Sequence, residues 1–144
     1  MAADLFVYGI LMFPEIVHAI TGCHYRMDDA VLPGHARYGL PHDDGQVFAA
    51  IAPHAGSSVP GKLIRQVSCG HLALFDRVEE IDAGYYERRM VAVCVNGDSA
   101  PAWAYCAGAS RRHALTGDWD PAGFDADSIR RFIEHDLPRY RTGR

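Results

Sequence analysis

The chain has 144 residues and a formal net charge of −4, from 14 basic and 18 acidic residues. This length suits one domain, residues 1–144, with a single core. The basic residues are scattered apart from Arg88-Arg89, Arg111-Arg112 and a C-terminal group, so nucleic acid is not expected as a partner. No apolar run reaches the roughly 18 residues of a membrane helix, and Asp4 interrupts the N-terminus where a signal peptide would be apolar. We therefore expect a soluble, cytoplasmic protein with no membrane partner.

The cysteines and histidines indicate neither a metal site nor a disulfide scaffold. The four cysteines, Cys23, Cys69, Cys94 and Cys106, are far apart and form no C-x-x-C pair. We expect them to be buried thiols. Among the eight histidines, no two have the H-x-x-x-H spacing that places two ligands on one helical face. No metal and no cofactor are expected.

The N-terminal segment predicts a strand, a tight turn and a helix. Leu5-Phe6-Val7-Tyr8 is a short apolar run, and Gly9 ends it because glycine accepts positive φ and close backbone approach. Pro14–Ile20 has helical spacing, with Pro at its first turn and Gly22 beyond its end. Unpaired N–H groups in such a turn favour an anion such as a carboxylate. The same residues would also serve as a plain connection within the core.

The remaining pattern predicts five further strands and two further helices. Turn residues at 41–45 and Asn96-Gly97 each indicate a hairpin, and residues 56–61 read as a flexible loop. The predicted strands cover residues 30–38, 47–52, 62–67, 85–95 and 102–107. Helical spacing returns in Leu72, Leu74, Phe75 and Val78, and again with Ile129, Phe132 and Ile133 on one face. The expected fold class is α+β, with about six strands in a barrel-like sheet and short peripheral helices.

Three segments together resemble the γ-glutamylcyclotransferase-like family, including its plant avirulence-induced branch. Tyr8-Gly9-Ile10-Leu11-Met12 resembles the family motif Tyr-Gly-(Thr/Ser)-Leu-Met, and residues 56–63 resemble its Gly-x-x-Val-x-Gly-x-Leu segment. Its Leu-Asp-x-Phe-Glu-Gly motif, with a Tyr seven residues after the Glu, falls on Asp76–Glu80 and Tyr86. The order and spacing of these motifs carry the resemblance, which extends from Leu5 to about Tyr105.

The resemblance implies intramolecular aminolysis of a small γ-glutamyl amine or γ-glutamyl amino acid. The substrate would cyclise to 5-oxoproline and release its amine. By position, Glu79 would be the general acid/base. The backbone of Tyr8, Gly9, Ile10 and Leu11 would bind the substrate carboxylate. Tyr86 and Tyr105 would line the pocket and offer a hydroxyl to that carboxylate or to the Glu.

Two residues depart from the family pattern. Ile10 replaces the hydroxyl residue, so a side-chain hydrogen bond is lost while the backbone N–H groups remain. Glu80 replaces the Gly after the acid; positive φ there would cost about 1 kcal/mol, and its charge would raise the pKa of Glu79. Glu80 could itself be the acid, but the spacing to Tyr86 favours Glu79.

Three other interpretations remain open at this stage. The same pocket could bind a small carboxylate without catalysis, as a sensor or sequestering module. Glu79 could instead serve a related transfer that unloads a γ-glutamyl group from a carrier. Taken alone, the Glu79-Glu80 pair is typical of a solvated helix end. Neither the leaving amine nor the oligomeric state is set by the sequence.

Overall fold

The computed structural model describes residues 2–141 and shows a closed five-stranded barrel with short helices around it. Met1 and residues 142–144, which belong to the predicted domain and in part to the C-terminal basic group, lie outside the described residues. The strands are β1 (Ala2–Val7), β2 (Met27–Pro41), β3 (Val47–Ser68), β4 (Tyr86–Val95) and β5 (Asp98–Ala107). Their order around the barrel is β1-β3-β2-β4-β5. The predicted α+β class and barrel-like sheet are confirmed.

The barrel closes where the N-terminal strand meets the last strand. β1 pairs with β5 in parallel, with Leu5 opposite Trp103 and Phe6 opposite Ala104. On its other side β1 pairs antiparallel with β3. Asn96 and Gly97 both have positive φ, 52° and 82°, and join β4 to β5 as the sequence predicts.

β3 corrects the prediction of two strands separated by a loop. Residues 47–68 form one continuous strand, so the predicted loop at 56–61 is wrong and the strand count falls from six to five. The reason is long-range pairing: Val59 lies opposite Leu32 and Pro60 opposite Val31 on β2. A β-bulge between Pro33 and His35 adjusts the register, so β2 and β3 stay paired although their sequences are rich in Gly and Pro.

Four helices pack around the barrel, and their ends follow the sequence signals. The helices are α1 (Pro14–Thr21), α2 (Cys69–Val78), α3 (Ala126–Arg131) and α4 (Leu137–Arg141). Gly22, at φ 76°, ends α1, and the Ser68 side chain caps α2 by accepting from the His71 N–H. A π-helical turn, Phe132–Asp136, joins α3 to α4, and it buries Phe132 as the predicted amphipathic face requires. None of the helices in residues 2–141 is long and apolar enough to cross a membrane.

The core fills the barrel, and only one cysteine belongs to it. Leu5, Phe6, Ile51 and Leu63 are fully buried. Cys106 is buried on β5, whereas Cys23, Cys69 and Cys94 are exposed, so the prediction of buried thiols is wrong for these three. Cys94 shows why: side chains alternate along β4, and Val93 and Val95 take the inward positions on either side of it.

Candidate active site

A single cavity brings together all the residues that the sequence singled out. It forms where β1 ends and β4 begins, and its empty volume is about 510 Å³, including open solvent. The candidate residues that line it are Tyr8, Gly9, Ile10, Leu11, Glu79, Tyr86 and Tyr105. We call this space the Glu79 cavity. The rest of its wall is mainly apolar, with Phe48, Val78 and Phe132 among the contributing side chains.

A tight turn at the end of β1 forms one wall of the Glu79 cavity. Residues Ile10–Met12 make a single 3₁₀ turn, in which the Met12 N–H donates to the Gly9 carbonyl at 3.0 Å. The first N–H groups of such a turn, those of Ile10 and Leu11, have no acceptor within it. Gly9 has φ −126°, so its role is close approach: a Cβ there would lie 2.9 Å from the Ala49 Cβ. The turn therefore presses against β3 and presents backbone donors.

Glu79 lies at the C-terminal end of α2 and contributes its carboxyl to the cavity wall. Its backbone N–H donates to the Phe75 carbonyl at 2.9 Å, which fixes it to the last helical turn. Within residues 2–141 no hydrogen bond or ion pair ends on its carboxyl group. Burial, and then the negative charges of Glu80 and Asp76, raise the pKa of Glu79 to about 8. Near neutral pH this group is close to its midpoint, so it can both take and give a proton.

Glu80 adopts the left-handed backbone that the sequence comparison suggested. Its φ and ψ are 53° and 49°, a conformation that costs a residue with a Cβ about 1 kcal/mol relative to glycine. The side chain does not line the Glu79 cavity but faces neighbouring space, where its Oε2 lies 3.8 Å from Nδ1 of His42. The geometry therefore favours Glu79 over Glu80 as the carboxyl that meets a bound molecule.

Three of the four tyrosines that line the cavity, Tyr8, Tyr86 and Tyr105, direct their hydroxyl groups into the protein. Tyr8 donates to the Tyr105 carbonyl, and Tyr86 donates to the Ala49 carbonyl at 2.7 Å. Tyr105 donates to Oδ1 of Asp76 at 2.7 Å, rather than to Glu79. Burial raises the pKa of each tyrosine, so all three stay neutral. Their rings form a fixed wall, and the same bonds tie β5 to the end of β1 and to α2, and β4 to β3.

The nearby carboxylate of Asp76 is bound by donors within the protein. It accepts the Tyr105 hydroxyl and also lies 3.0 Å from the Arg88 guanidinium, which packs over Trp103 at 4.5 Å. Asp76 is one helical turn before Glu79, so it adds negative potential to the site without exposing its own oxygens to the cavity. The Glu79 carboxyl, by contrast, accepts no such donor from residues 2–141.

His42 also lines the Glu79 cavity, and no motif or spacing in the sequence selected it. It follows β2 in the turn to β3, where Pro, Asp and Gly neighbours suggest only a turn. Its ring stacks on Tyr85 with centroids 4.4 Å apart. Burial lowers the pKa of His42 to about 4, so the imidazole is neutral at pH 7. Among the described residues, no group of three or more His, Cys, Asp or Glu side chains could hold a metal ion.

Comparison with known proteins identifies relatives of similar sequence. AIG2-like protein C of Arabidopsis thaliana is 33% identical over 98 residues, which make up 68% of this chain and 54% of that protein. Protein AIG2 B of the same plant is 29% identical over 99 residues, 69% of this chain and 55% of that protein. The chain thus spans about half the length of the curated relatives that it matches.

Solved structures share the fold at lower identity. The solution structure of an Arabidopsis thaliana protein has a TM-score of 0.70 at 22% identity, covering 99% of this chain and 93% of the other. A structure named gamma-glutamyl cyclotransferase has a TM-score of 0.64 at 18% identity, covering 74% of this chain and 67% of the other. A crystal structure of a mouse AIG2-like protein gives 0.60 at 19% identity, with 85% and 92% covered.

The family model adds the decisive match. The model described as "Gamma-glutamyl cyclotransferase, AIG2-like" matches residues 5–121, a stretch that includes Tyr8–Leu11, Glu79, Tyr86 and Tyr105. The chain therefore belongs to the gamma-glutamyl cyclotransferase, AIG2-like family.

Proposed function

We propose that this protein cyclises γ-glutamyl amines or γ-glutamyl amino acids to 5-oxoproline and releases the amine, with Glu79 as the general acid/base. One observation carries the proposal: the Glu79 carboxyl lies in a largely apolar cavity, its pKa raised to about 8, beside the backbone donors of the Ile10–Met12 turn. The family to which the chain belongs supports the same reaction.

The proton transfers that the reaction needs suit a carboxyl group with this pKa. The substrate enters with its α-amino group as an ammonium, and Glu79 as carboxylate accepts one proton from it. The free amine attacks the γ-carbonyl carbon, a C–N bond forms, and the ring closes. Glu79 then donates its proton to the leaving nitrogen as the original C–N bond breaks, and the ring nitrogen gives up its second proton, which the released amine carries away as an ammonium. A base whose pKa lies close to the working pH performs both transfers efficiently, typically contributing about 10²–10⁴-fold.

Holding the substrate in a bent conformation contributes more to the rate than proton transfer does. A γ-glutamyl chain has several rotatable bonds, and fixing amine and carbonyl within attack distance supplies on the order of 7–11 kcal/mol. The N–H groups of Ile10 and Leu11 would bind the substrate α-carboxylate, as backbone donors at a turn bind anions. Ile10, in place of a hydroxyl residue, is buried and leaves these backbone donors unchanged. The fixed rings of Tyr86 and Tyr105 would limit the space for any extended conformer.

A panel of γ-glutamyl compounds tests the proposal. The purified protein is incubated with γ-glutamyl alkylamides, γ-glutamyl amino acids and an isopeptide, and 5-oxoproline is measured by mass spectrometry. We expect release from at least one member of the panel, at a rate proportional to enzyme concentration. Release from none, combined with thermal stabilisation by 5-oxoproline, would contradict the enzyme and support a module that only binds small carboxylates.

A further inference from the structure

His42 is held rigidly at the wall of the Glu79 cavity. Its backbone N–H donates to the Gln46 carbonyl at 2.8 Å, and its carbonyl accepts the Gly45 N–H at 3.0 Å, which closes the turn between β2 and β3. Its ring is stacked on Tyr85 and meets the edge of Phe48 with centroids 4.9 Å apart. The Tyr85 hydroxyl in turn accepts the Asp43 N–H at 3.1 Å. The imidazole therefore has little freedom to turn away from the cavity.

One nitrogen of this imidazole lacks a partner. Across residues 2–141, the buried side-chain nitrogens without a hydrogen bond are Nε2 of His42 and Nε of Arg88. Arg88 is compensated, because that Nε lies 3.0 Å from Oδ1 of Asp76. His42 has no such compensation at Nε2, although its side chain is only 9% exposed. Buried polar atoms are normally satisfied, so an unsatisfied one on a residue that lines a cavity points to a ligand.

The surroundings of the ring decide what Nε2 offers to that ligand. The Glu80 carboxyl lies 3.8 Å from Nδ1, and Asp43 and Asp44 add negative charge, while Arg111 adds a positive one. Because the carboxyl lies on the Nδ1 side, the proton of the neutral ring is favoured on Nδ1. Nε2 then carries a lone pair and accepts a hydrogen bond. The missing partner is therefore an N–H or O–H donor.

A second cavity adjoins the Glu79 cavity and shares His42 and Tyr140 with it. Its other charged side chains are Asp43, Asp44, Glu80, Arg111 and Arg139. Arg139 lies 3.2 Å from Asp44, and Arg111 packs over Tyr85 at 3.7 Å. Its empty volume is about 960 Å³, including open solvent. It therefore offers room and polar groups for a part of the substrate that extends beyond the Glu79 cavity.

Resting on the proposed function, we propose that His42 contacts the substrate directly, its Nε2 accepting a hydrogen bond from the N–H of the leaving amine, whose remainder enters the second cavity. The bond strengthens during the reaction. As Glu79 delivers its proton, the leaving nitrogen gains positive charge, and a hydrogen bond from a charged donor is stronger than one from a neutral amide. His42 neither gains nor loses a proton; it stabilises the expelled nitrogen in the transition state.

The test compares a γ-glutamyl methylamide with the γ-methyl ester of glutamate, which replaces the N–H by oxygen and also cyclises to 5-oxoproline. His42→Phe keeps a ring between Tyr85 and Phe48 but removes the acceptor, whereas His42→Gln keeps an acceptor near the position of Nε2. We expect His42→Phe to lose on the order of 10- to 100-fold in kcat/KM on the amide and little on the ester. His42→Gln should retain most of the activity on the amide.

His71→Phe is the matched control, since His71 is a partly buried histidine on α2 that lines neither cavity. It should leave both substrates unaffected. Equal loss on amide and ester in a folded His42→Phe protein, or no loss on either, would overturn the proposal. If the wild-type protein turns over neither substrate, the proposed function fails, and calorimetry still decides the role of His42. Amide binding that is at least tenfold weaker in His42→Phe supports the contact, and equal affinity refutes it.

Discussion

The chain treats carboxylates in two opposite ways in two parts of the barrel. Near the start of β1 and β2, Arg65 donates to Asp28 at 2.7 Å and to Asp4 at 3.2 Å, and Arg26 also donates to Asp28; we call these four residues the Arg65 cluster. In the Glu79 cavity, a carboxyl lies in mainly apolar surroundings and receives no such donor from the described part of the chain, residues 2–141. The pKa of Asp28 is lowered, mainly by the Arg65 hydrogen bond, and that of Glu79 is raised to about 8, mainly by burial.

This difference separates a carboxylate that is bound within the protein from one to which our proposal assigns the chemistry. The Arg65 cluster bridges three strands, since Asp4 is on β1, Asp28 on β2 and Arg65 on β3. Its charges are satisfied within the protein. Glu79 receives no such donor among residues 2–141, and the cost of burying its ionised form is removed by protonation, which is why its pKa is raised.

The largest expected effect is on enzymatic activity, and it distinguishes the Glu79 cavity from the Arg65 cluster. Glu79→Gln should lower 5-oxoproline release by about 10²–10⁴-fold, because the amide cannot carry the proton. Asp28→Asn makes the same chemical change in the Arg65 cluster and should leave the turnover number close to that of the wild type. Steady-state kinetics on the best substrate of the panel measures both, with circular dichroism as the check on folding. Full activity in Glu79→Gln would mean that the base is another residue.

A second effect is on the pH dependence of stability, which should differ between the Glu79 cavity and the Arg65 cluster. Glu79 has a folded pKa of about 8 against an ordinary 4.5, so between these values the folded protein holds a proton that the unfolded chain has lost. Stability therefore falls as pH rises through this window, and Glu79→Gln should become progressively more stable than the wild type from pH 5 to 8.

Asp28 changes the free energy of unfolding with pH in the opposite direction. Its folded pKa lies below 3.8, so its contribution is present above that value and is lost as pH falls through the folded pKa. Asp28→Asn should be less stable than the wild type at neutral pH and should match it in acid. Urea unfolding at several pH values measures both trends. A constant difference between Glu79→Gln and the wild type from pH 5 to 8 would show that ionising Glu79 costs nothing.

The smallest effect concerns the backbone that positions the two neighbouring carboxyls. Glu80→Gly should be more stable than Glu80→Ala by about 1 kcal/mol, because glycine adopts the left-handed conformation without a Cβ clash. Both variants remove the same charge, so their difference isolates the strain. Thermal unfolding of the pair at one pH is the measurement. Equal stability would mean that residue 80 relaxes out of positive φ when its side chain is removed.

Local sequence signals predicted some parts of the molecule well. Asn96-Gly97 set a hairpin, and Gly22 set a helix end, because both depend on backbone conformations that few residues adopt. Positive φ at Glu80 was raised only as a condition, because the family pattern has glycine at that point, and the structure shows it. Each of these features is set by a few consecutive residues, so local sequence patterns are enough to predict it.

Other parts depend on partners far along the chain, and the sequence alone did not reveal them. Residues 56–61 read as a loop because Gly, Ser and Pro dominate, yet pairing with β2 keeps them in a strand. His42 was missed because its neighbours indicate a turn, and only the stacking on Tyr85 shows that it is fixed beside the cavity. The grouping of Glu79 with Tyr8–Leu11 followed from the family pattern and not from composition or periodicity.

The parallel seam between β1 and β5 has a consequence for how the protein acquires its site. Leu5 pairs with Trp103, and the Tyr8 hydroxyl reaches the Tyr105 carbonyl, so the turn at residues 8–11 depends on a strand almost a hundred residues later. Contacts of such long range close slowly, since the loop entropy is lost before the contact is gained. During synthesis, the N-terminal turn leaves the ribosome first but stays without a cavity until β5 has followed it. Folding of the barrel and formation of the site are therefore the same late event.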